Sequence, residues 1–185
     1  MINDALRDAE SRMQGALKAL EEDLGGIRTG RASPSLVERV MVDYYGTSTP
    51  LQQLATISTP EPQLLTIRPF DPGSINAIEK GIQSSDLGLT PGNDGKIIRL
   101  PVPPLNKERR QELSRIVAKR IEEAKVAVRN VRRDALEDLR EFEKEKMISE
   151  DDFHRGKDDL QKLTDKYTEE IDEAGKRKEH EIMEV

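Results

Sequence analysis

The feature that most constrains this fold is an apolar seam in the second half of the chain. Leu113, Val117, Ile121, Ala124, Val128, Val131, Ala135, Leu139 and Phe142 recur at steps of three and four, the spacing that keeps side chains on one face of an α-helix. Pro103-Pro104 block helix and strand alike just before the seam. Asn106 then supplies an N-cap and Glu108 stands in the first turn, so the helix starts near residue 107. At about 1.5 Å per residue, a helix over 107–145 is about 58 Å long. No small globular core hides a stripe of that length, so it must lie along other long helices.

Two further stretches can cover it. Ile2, Leu6, Ala9, Met13, Ala16, Leu20, Leu24 and Ile27 make a second seam and predict a helix over 2–27, weakened in its last turn by Gly25 and Gly26. Met147-Ile148 end the long helix. Ser149 with Glu150, Asp151 and Asp152 then reads as a new helix start, an oxygen cap followed by acids. That last helix carries Phe153, Leu160, Leu163, Tyr167, Ile171, Ala174 and Ile182. Three such seams bury one another in an up-down-up three-helix bundle.

Residues 31–104 have a different character. Nine of the ten prolines lie between Pro50 and Pro104. Short apolar runs at 36–45, 54–57, 64–67 and 97–102, bounded by turn residues, predict strands. Tyr44 and Tyr45 fall in the first run, one expected to face in and the other out. Asn93-Asp94-Gly95 is a hairpin-type turn, and 74–82 reads as one short helix with Ile75, Ile78 and Ile82 on one face. The expected fold class is therefore α+β. An elongated three-helix bundle, discontinuous over 1–30 and 105–185, carries a small β-rich α+β domain, 31–104, inserted between its first two helices. Gly30, Arg31, Pro103, Pro104 and Leu105 mark the two chain crossings and form the expected hinge.

Composition removes several function classes. There is no Cys and no Trp, only His154 and His180 are available as imidazole ligands, and aromatics make up 3% of the chain. Disulfide frameworks, thiol chemistry and cysteine zinc sites are excluded, and the scarcity of aromatics argues against base-stacking platforms. No apolar run approaches the roughly 18 residues of a membrane span. The opening MINDALRDAE has acids and no apolar core, unlike a targeting signal. A soluble, cytoplasmic protein is expected. Gly92-Asn93-Asp94-Gly95-Lys96 lacks the spacing of a phosphate loop, and His180-Glu181 lacks the second histidine of a zinc-protease helix. Asp151-Asp152 and Asp158-Asp159 fall on solvated helix faces, whereas catalytic acids need a desolvated cleft. His154 falls on a wet helix face near Phe153. No catalytic residue, metal site or cofactor is expected.

The positive signal is arginine. The net charge is −6, yet residues 107–133 hold ten basic and four acidic side chains, net +6, while residues 134–185 are net −9. Arg129, Arg132 and Arg133 sit three and four residues apart around Asn130, Arg109-Arg110 open the same helix, and Arg28 and Arg31 flank the first crossing. A guanidinium fork donates two bonds at once to phosphate. An arginine-rich helix without aromatics suits the backbone of folded RNA. The same charges also suit a solvated face, with Arg129 near Asp134 and Arg120 near Glu123 and Glu112. Arg28 and Arg31 equally suit bracing of the junction. A coiled-coil adaptor for protein helices is thus the rival reading.

Several motifs in fixed order bear on that choice: Arg28-Thr29-Gly30-Arg31-Ala32-Ser33-Pro34, Tyr45-Gly46 through Pro50-Leu51, Ile67 through Asp71, Ile98-Arg99, Pro103-Pro104-Leu105, Glu108-Arg109-Arg110 and Arg129-Asn130-Val131-Arg132-Arg133. With them the chain resembles the bacterial ribosome recycling factor family over essentially its whole length, Gly25-Gly26 being a departure. The resemblance implies an L-shaped, monomeric translation factor without enzymatic activity. It implies binding to the post-termination ribosome, with the bundle on large-subunit rRNA at the subunit interface. It implies subunit separation together with elongation factor G, which supplies the GTP hydrolysis. Carried onto this sequence, it makes Arg129, Arg132 and Arg133 contacts to rRNA, with Asn130, Arg28, Arg31, Arg109 and Arg110 as further candidates.

Overall fold

The computed structural model describes residues 1–184. Four α-helices, α1 (Ile2–Gly25), α2 (Ile75–Gln83), α3 (Lys107–Lys144) and α4 (Glu150–Met183), accompany six short strands: β1 (Met41–Tyr44), β2 (Thr47–Pro50), β3 (Ala55–Glu61), β4 (Leu64–Pro69), β5 (Gly92–Asn93) and β6 (Ile98–Pro101). The chain divides into two compact units, Met1–Asp23 with Arg115–Glu179, and Leu24–Ser114 with His180–Val185. No described helix is long and apolar enough to cross a membrane.

The first unit is the three-helix bundle. Ala9, Met13 and Leu20 of α1, Val117, Val128, Val131, Ala135 and Leu139 of α3, and Phe153, Leu160, Tyr167, Ile171 and Ala174 of α4 are buried. These are the seam positions expected from periodicity. Cross-helix contacts fix the directions. A β-carbon on Gly156 would stand 3.3 Å from Ile2 Cγ2 and from Leu139 Cδ1, and one on Gly175 would collide with Ile121. Arg12 pairs with Asp134 at 2.9 Å, Lys125 with Asp172 at 2.6 Å, and the Tyr167 hydroxyl donates to Glu10 at 3.3 Å. Pairings that rise together in number run α1 parallel to α4, and those that oppose run α3 antiparallel to both, the up-down-up order.

The caps that sequence nominated are in place. Asn106 Oδ1 accepts from the Arg109 amide at 2.8 Å, and Ser149 Oγ accepts from the Asp152 amide at 3.1 Å. Lys146, at φ +58°, turns the chain out of α3. Helix α1 stops at Gly25 rather than Ile27. Adjacent glycines give up the most backbone entropy in a helix, which ends it there.

The second unit packs α2 and a β1–β2 hairpin with a four-stranded antiparallel sheet of order β3-β4-β6-β5. Alternation does the work: Leu65 and Ile67 of β4 and Ile98 and Leu100 of β6 are buried with Ile75, Ile78 and Ile82 of α2, Val42 of β1 and Leu51. Strand expectations were right in place and wrong in extent. Residues 34–36 form a 3₁₀ turn before β1, and β2 has no apolar pattern to announce it. Tyr45 is not a strand residue. It takes φ +48° beside Gly46 at +86°, both in the hairpin turn, and is 76% exposed. The Tyr44 and Tyr45 hydroxyls both donate to Asp71 Oδ2, at 3.2 and 3.1 Å. Asp71 also accepts from the Gly73 amide at 2.9 Å, so one carboxylate ties the hairpin to the turn before α2.

Two carboxylates of this unit are held below the usual range. For Asp71 the Gly73 amide is the main cause, followed by the Tyr45 hydroxyl. For Asp94 the causes are the Ile97 and Lys96 amides and then the Arg99 guanidinium at 2.7 Å. Depressed folded pKa values contribute stability above the unfolded carboxylate value, and it is lost as pH falls toward the folded value. Acid titration followed by circular dichroism should therefore show stability declining below about pH 4, and Asp71→Asn with Asp94→Asn should flatten that decline. In chemical denaturation Leu139→Ala should cost about 3 kcal/mol in the bundle, from a fully buried site. Gly81→Val should cost about 2 kcal/mol in the second unit, because a β-carbon there meets Met41 O at 3.1 Å and Val42 Cγ2 at 3.2 Å.

Candidate nucleic-acid interface

The arginines nominated by charge fall in both units. In the first, Arg129, Asn130 and Arg133 are exposed on α3, while Arg132 is half-buried. At about 100° per residue, Arg132 lies about 60° from Arg129 on the side opposite Arg133, toward the buried seam. Arg129 Nη2 pairs with Glu122 at 2.8 Å, not with Asp134 as sequence proximity suggested. Glu122 lies two turns back on the same face, whereas Asp134 is taken by Arg12 and stands 4.0 Å from Arg133 Nε. Arg120 pairs with Glu123 at 3.3 Å, as expected. Among the described residues Arg132 has no ion-pair partner. The pairs of Arg129 and Arg133 are solvent-exposed. Such pairs contribute about 0–1 kcal/mol, so a phosphate exchanges with them at little cost.

Arg28, Arg31, Arg109 and Arg110 belong to the second unit. Arg28 Nη2 donates to the Pro103 carbonyl at 3.0 Å, Arg109 pairs with Glu112 at 2.8 Å, and Arg31 stands 3.4 Å from Glu184. Nε of Arg28 and of Arg110 is buried without an acceptor. Burial, and then the charge of Arg109, pulls the Arg28 pKa below its ordinary value. Unsatisfied donors and crowded like charges both favour an anion nearby. A cleft of about 440 Å³ with Arg31, Gln63, Leu105, Arg110 and Glu184 in its wall lies in this unit.

The five residues of the expected hinge also lie inside the second unit. A β-carbon on Gly30 would stand 4.0 Å from Pro104 Cα, so the two crossings run side by side. Ala32 donates to the Pro62 carbonyl at 2.7 Å and Val102 to that of Gln63 at 2.8 Å, which ties each crossing to the β3–β4 turn. His154 is exposed, edge-on to Phe153 with ring centres 5.5 Å apart. Among the described residues no cluster of His, Asp and Glu could hold a metal ion.

A sequence profile described as Ribosome recycling factor matches residues 20–183. The chain is 56% identical to the ribosome-recycling factors of Roseiflexus castenholzii and of Halalkalibacterium halodurans, over 185 residues and the full length of both chains in each case. The chain belongs to the ribosome recycling factor family. A solution structure of the ribosome recycling factor superposes with a TM-score of 0.79 at 45% identity, covering 100% of this chain and 98% of that one. A second structure is of the T. thermophilus ribosome recycling factor and E. coli elongation factor G bound to the E. coli post-termination complex. It matches at a TM-score of 0.70 and 42% identity over 99% of both chains. Membership agrees with the two-unit α+β architecture and with the resemblance carried by the arginine motifs.

What sequence reading missed in this family member is the Asp71 clamp, because Tyr44, Tyr45 and Asp71 are about 26 residues apart and no local spacing relates them. The only signal was Tyr45-Gly46, a pair suited to two positive φ values in a tight hairpin turn.

Proposed function

We propose that this chain binds the post-termination ribosome and, with elongation factor G and GTP, promotes its separation into subunits for a new round of initiation. The observation that carries this reading is full-length identity above one half with ribosome-recycling factors. A related factor on a post-termination complex supports it. In this reading the protein works in the cytoplasm as a monomer, uses no cofactor and is not an enzyme, the GTP being hydrolysed by the elongation factor. Residues 1–30 and 105–185 act as the arm that holds large-subunit rRNA, and 31–104 as the lobe displaced by the motor. Arg129, Arg132 and Arg133 donate to rRNA phosphates, Asn130 adds an amide, and Arg28, Arg31, Arg109 and Arg110 widen the contact. The free guanidinium of Arg132 supports that role most directly, since no internal pair has to break.

In this reading the proposed bend lies at Gly30, Arg31, Pro103, Pro104 and Leu105, the residues at which the chain passes between the proposed arm and lobe. A coiled-coil adaptor predicts a different response to salt. Neutralising about five phosphates gives a log–log slope of affinity on salt near −4, whereas apolar docking gives little slope.

Sedimentation of post-termination ribosomes with the protein, elongation factor G and GTP should release free subunits, and omission of any one should not. Arg132→Ala should weaken large-subunit binding about tenfold at unchanged helicity; unchanged affinity removes Arg132 from the interface. Gly30→Cys with Pro104→Cys, oxidised to a disulfide, should keep ribosome binding and lose splitting. Undiminished splitting would refute a bend at these residues.

A further inference from the structure

We propose that the solvent face of α3 in the first unit straddles the shallow minor groove of an A-form rRNA segment. Arg115 and Lys119 meet the phosphates of one strand, Arg129, Arg133 and Arg140 meet those of the other, and Val126 lies against the sugars between. The inference rests on the rRNA-binding reading and deepens it, naming the form of RNA and contacts outside the arginine cluster.

Three observations carry it. First, at about 100° per residue the positions 115, 119, 122, 126, 129, 133 and 140 share an arc of about 80°, and all seven are exposed. The buried seam of Leu113, Val117, Ala124, Val128, Val131, Ala135 and Leu139 occupies the opposite side. Second, Arg115, Lys119 and Arg140 have no ion-pair partner among the described residues, and the acids on the arc, Glu122 and Glu137, are outnumbered five to two. Glu122 is itself held by Arg129. Third, the cations fall into two groups separated by about 15 Å of helix, from Lys119 to Arg129. Within that interval, about 10 Å from Lys119 and about 5 Å from Arg129, Val126 is 41% exposed, a β-branched apolar side chain where helix propensity and solvation both favour a charged one.

Each feature matches one property of the partner. Side chains cannot read the deep major groove of A-form RNA, whereas its minor groove is wide and shallow and displays sugars between two phosphate backbones. A convex helix fits that surface, with cations reaching the strands at either side and a short apolar side chain between the two groups, nearer the second. A protein partner would need a desolvated apolar or aromatic centre, and Val126 alone does not make one.

The test uses the full chain and isolated large ribosomal subunits. Arg115→Ala with Lys119→Ala should weaken binding about tenfold and make the log–log salt slope shallower by one to two. The charge-conserving Arg115→Lys with Lys119→Arg should restore both. Lys157→Ala, on an exposed part of α4, should change neither. The chain contains no Cys, so Val126→Cys gives a unique site for a tethered iron chelate. Hydroxyl radicals from it should cut two rRNA strands facing each other across one minor groove. If the double variant binds like wild type while Arg129→Ala, Arg132→Ala and Arg133→Ala together abolish binding, the proposal falls and the rRNA-binding reading stands. If neither set affects binding, both fall. Loss of affinity without rRNA cleavage from position 126 would make the face a contact for a ribosomal protein and overturn the proposal.

Discussion

The structure depends on one unbroken apolar seam in a helix of 38 residues. Each Leu, Ile or Val side chain removed from water there contributes about 1.5–3 kcal/mol, but only if a neighbour of matching length covers it. That requirement recruits α1 and α4, separated from α3 in sequence by a whole inserted unit on one side and five residues on the other. Close approach is then set by the smallest side chains. Gly156 and Gly175 stand where α4 meets Leu139 and Ile121, and any β-carbon at either would push the helices apart or displace a neighbour. The two glycines thus leave room for the Leu139 and Ile121 side chains against α4.

Because packing occupies one side of α3, its other side is free to carry charge, and the pairing pattern there matters more than the total. Arg129 and Arg133 have exposed carboxylate neighbours, while Arg132 has none among the described residues. An exposed pair holds a guanidinium in a defined rotamer without a large desolvation penalty. In the proposed rRNA-binding reading, the donor is released from such a pair at little cost when a phosphate arrives. Pairs buried in the core would have cost several kcal/mol to open and would have closed this surface to ligands.

Legibility in the sequence followed the range of the interaction involved. The seams of Ile2 to Leu24, Leu113 to Leu139 and Phe153 to Ile182 were readable because helical periodicity is a local property, and so were the caps at Asn106 and Ser149. The hairpin at Asn93-Asp94-Gly95 was readable from turn chemistry alone. Strand ends were not, since β2 is polar and β5 has two residues; their pairing partners, not their own side chains, make them strands. The same limit applied to the charged residues. Local clusters such as Arg132-Arg133 stood out in the sequence. The pairing of Arg129 with Glu122 across two turns, the link from Arg12 to Asp134 across 122 residues and the convergence of Tyr44 and Tyr45 on Asp71 needed coordinates.

The uneven charge balance bears on selectivity. A chain that must meet a polyanion gains encounter rate from positive charge, but a uniformly basic one binds any nucleic acid through counterion release alone. Here residues 107–133 carry net +6 inside a chain of net −6. Within the bundle α4 opens with Glu150, Asp151 and Asp152 and runs beside α3. In the proposed rRNA-binding reading, an RNA backbone that approaches the α4 side meets carboxylates and is repelled, whereas one that approaches the exposed face of α3 meets guanidinium groups. Repulsion on one side and attraction on the other orient the molecule before any specific contact forms. That orientation requires stiff helices, because a flexible chain would average the two charges to a weak net repulsion. The apolar seam that dictates the fold therefore also makes the charge pattern usable.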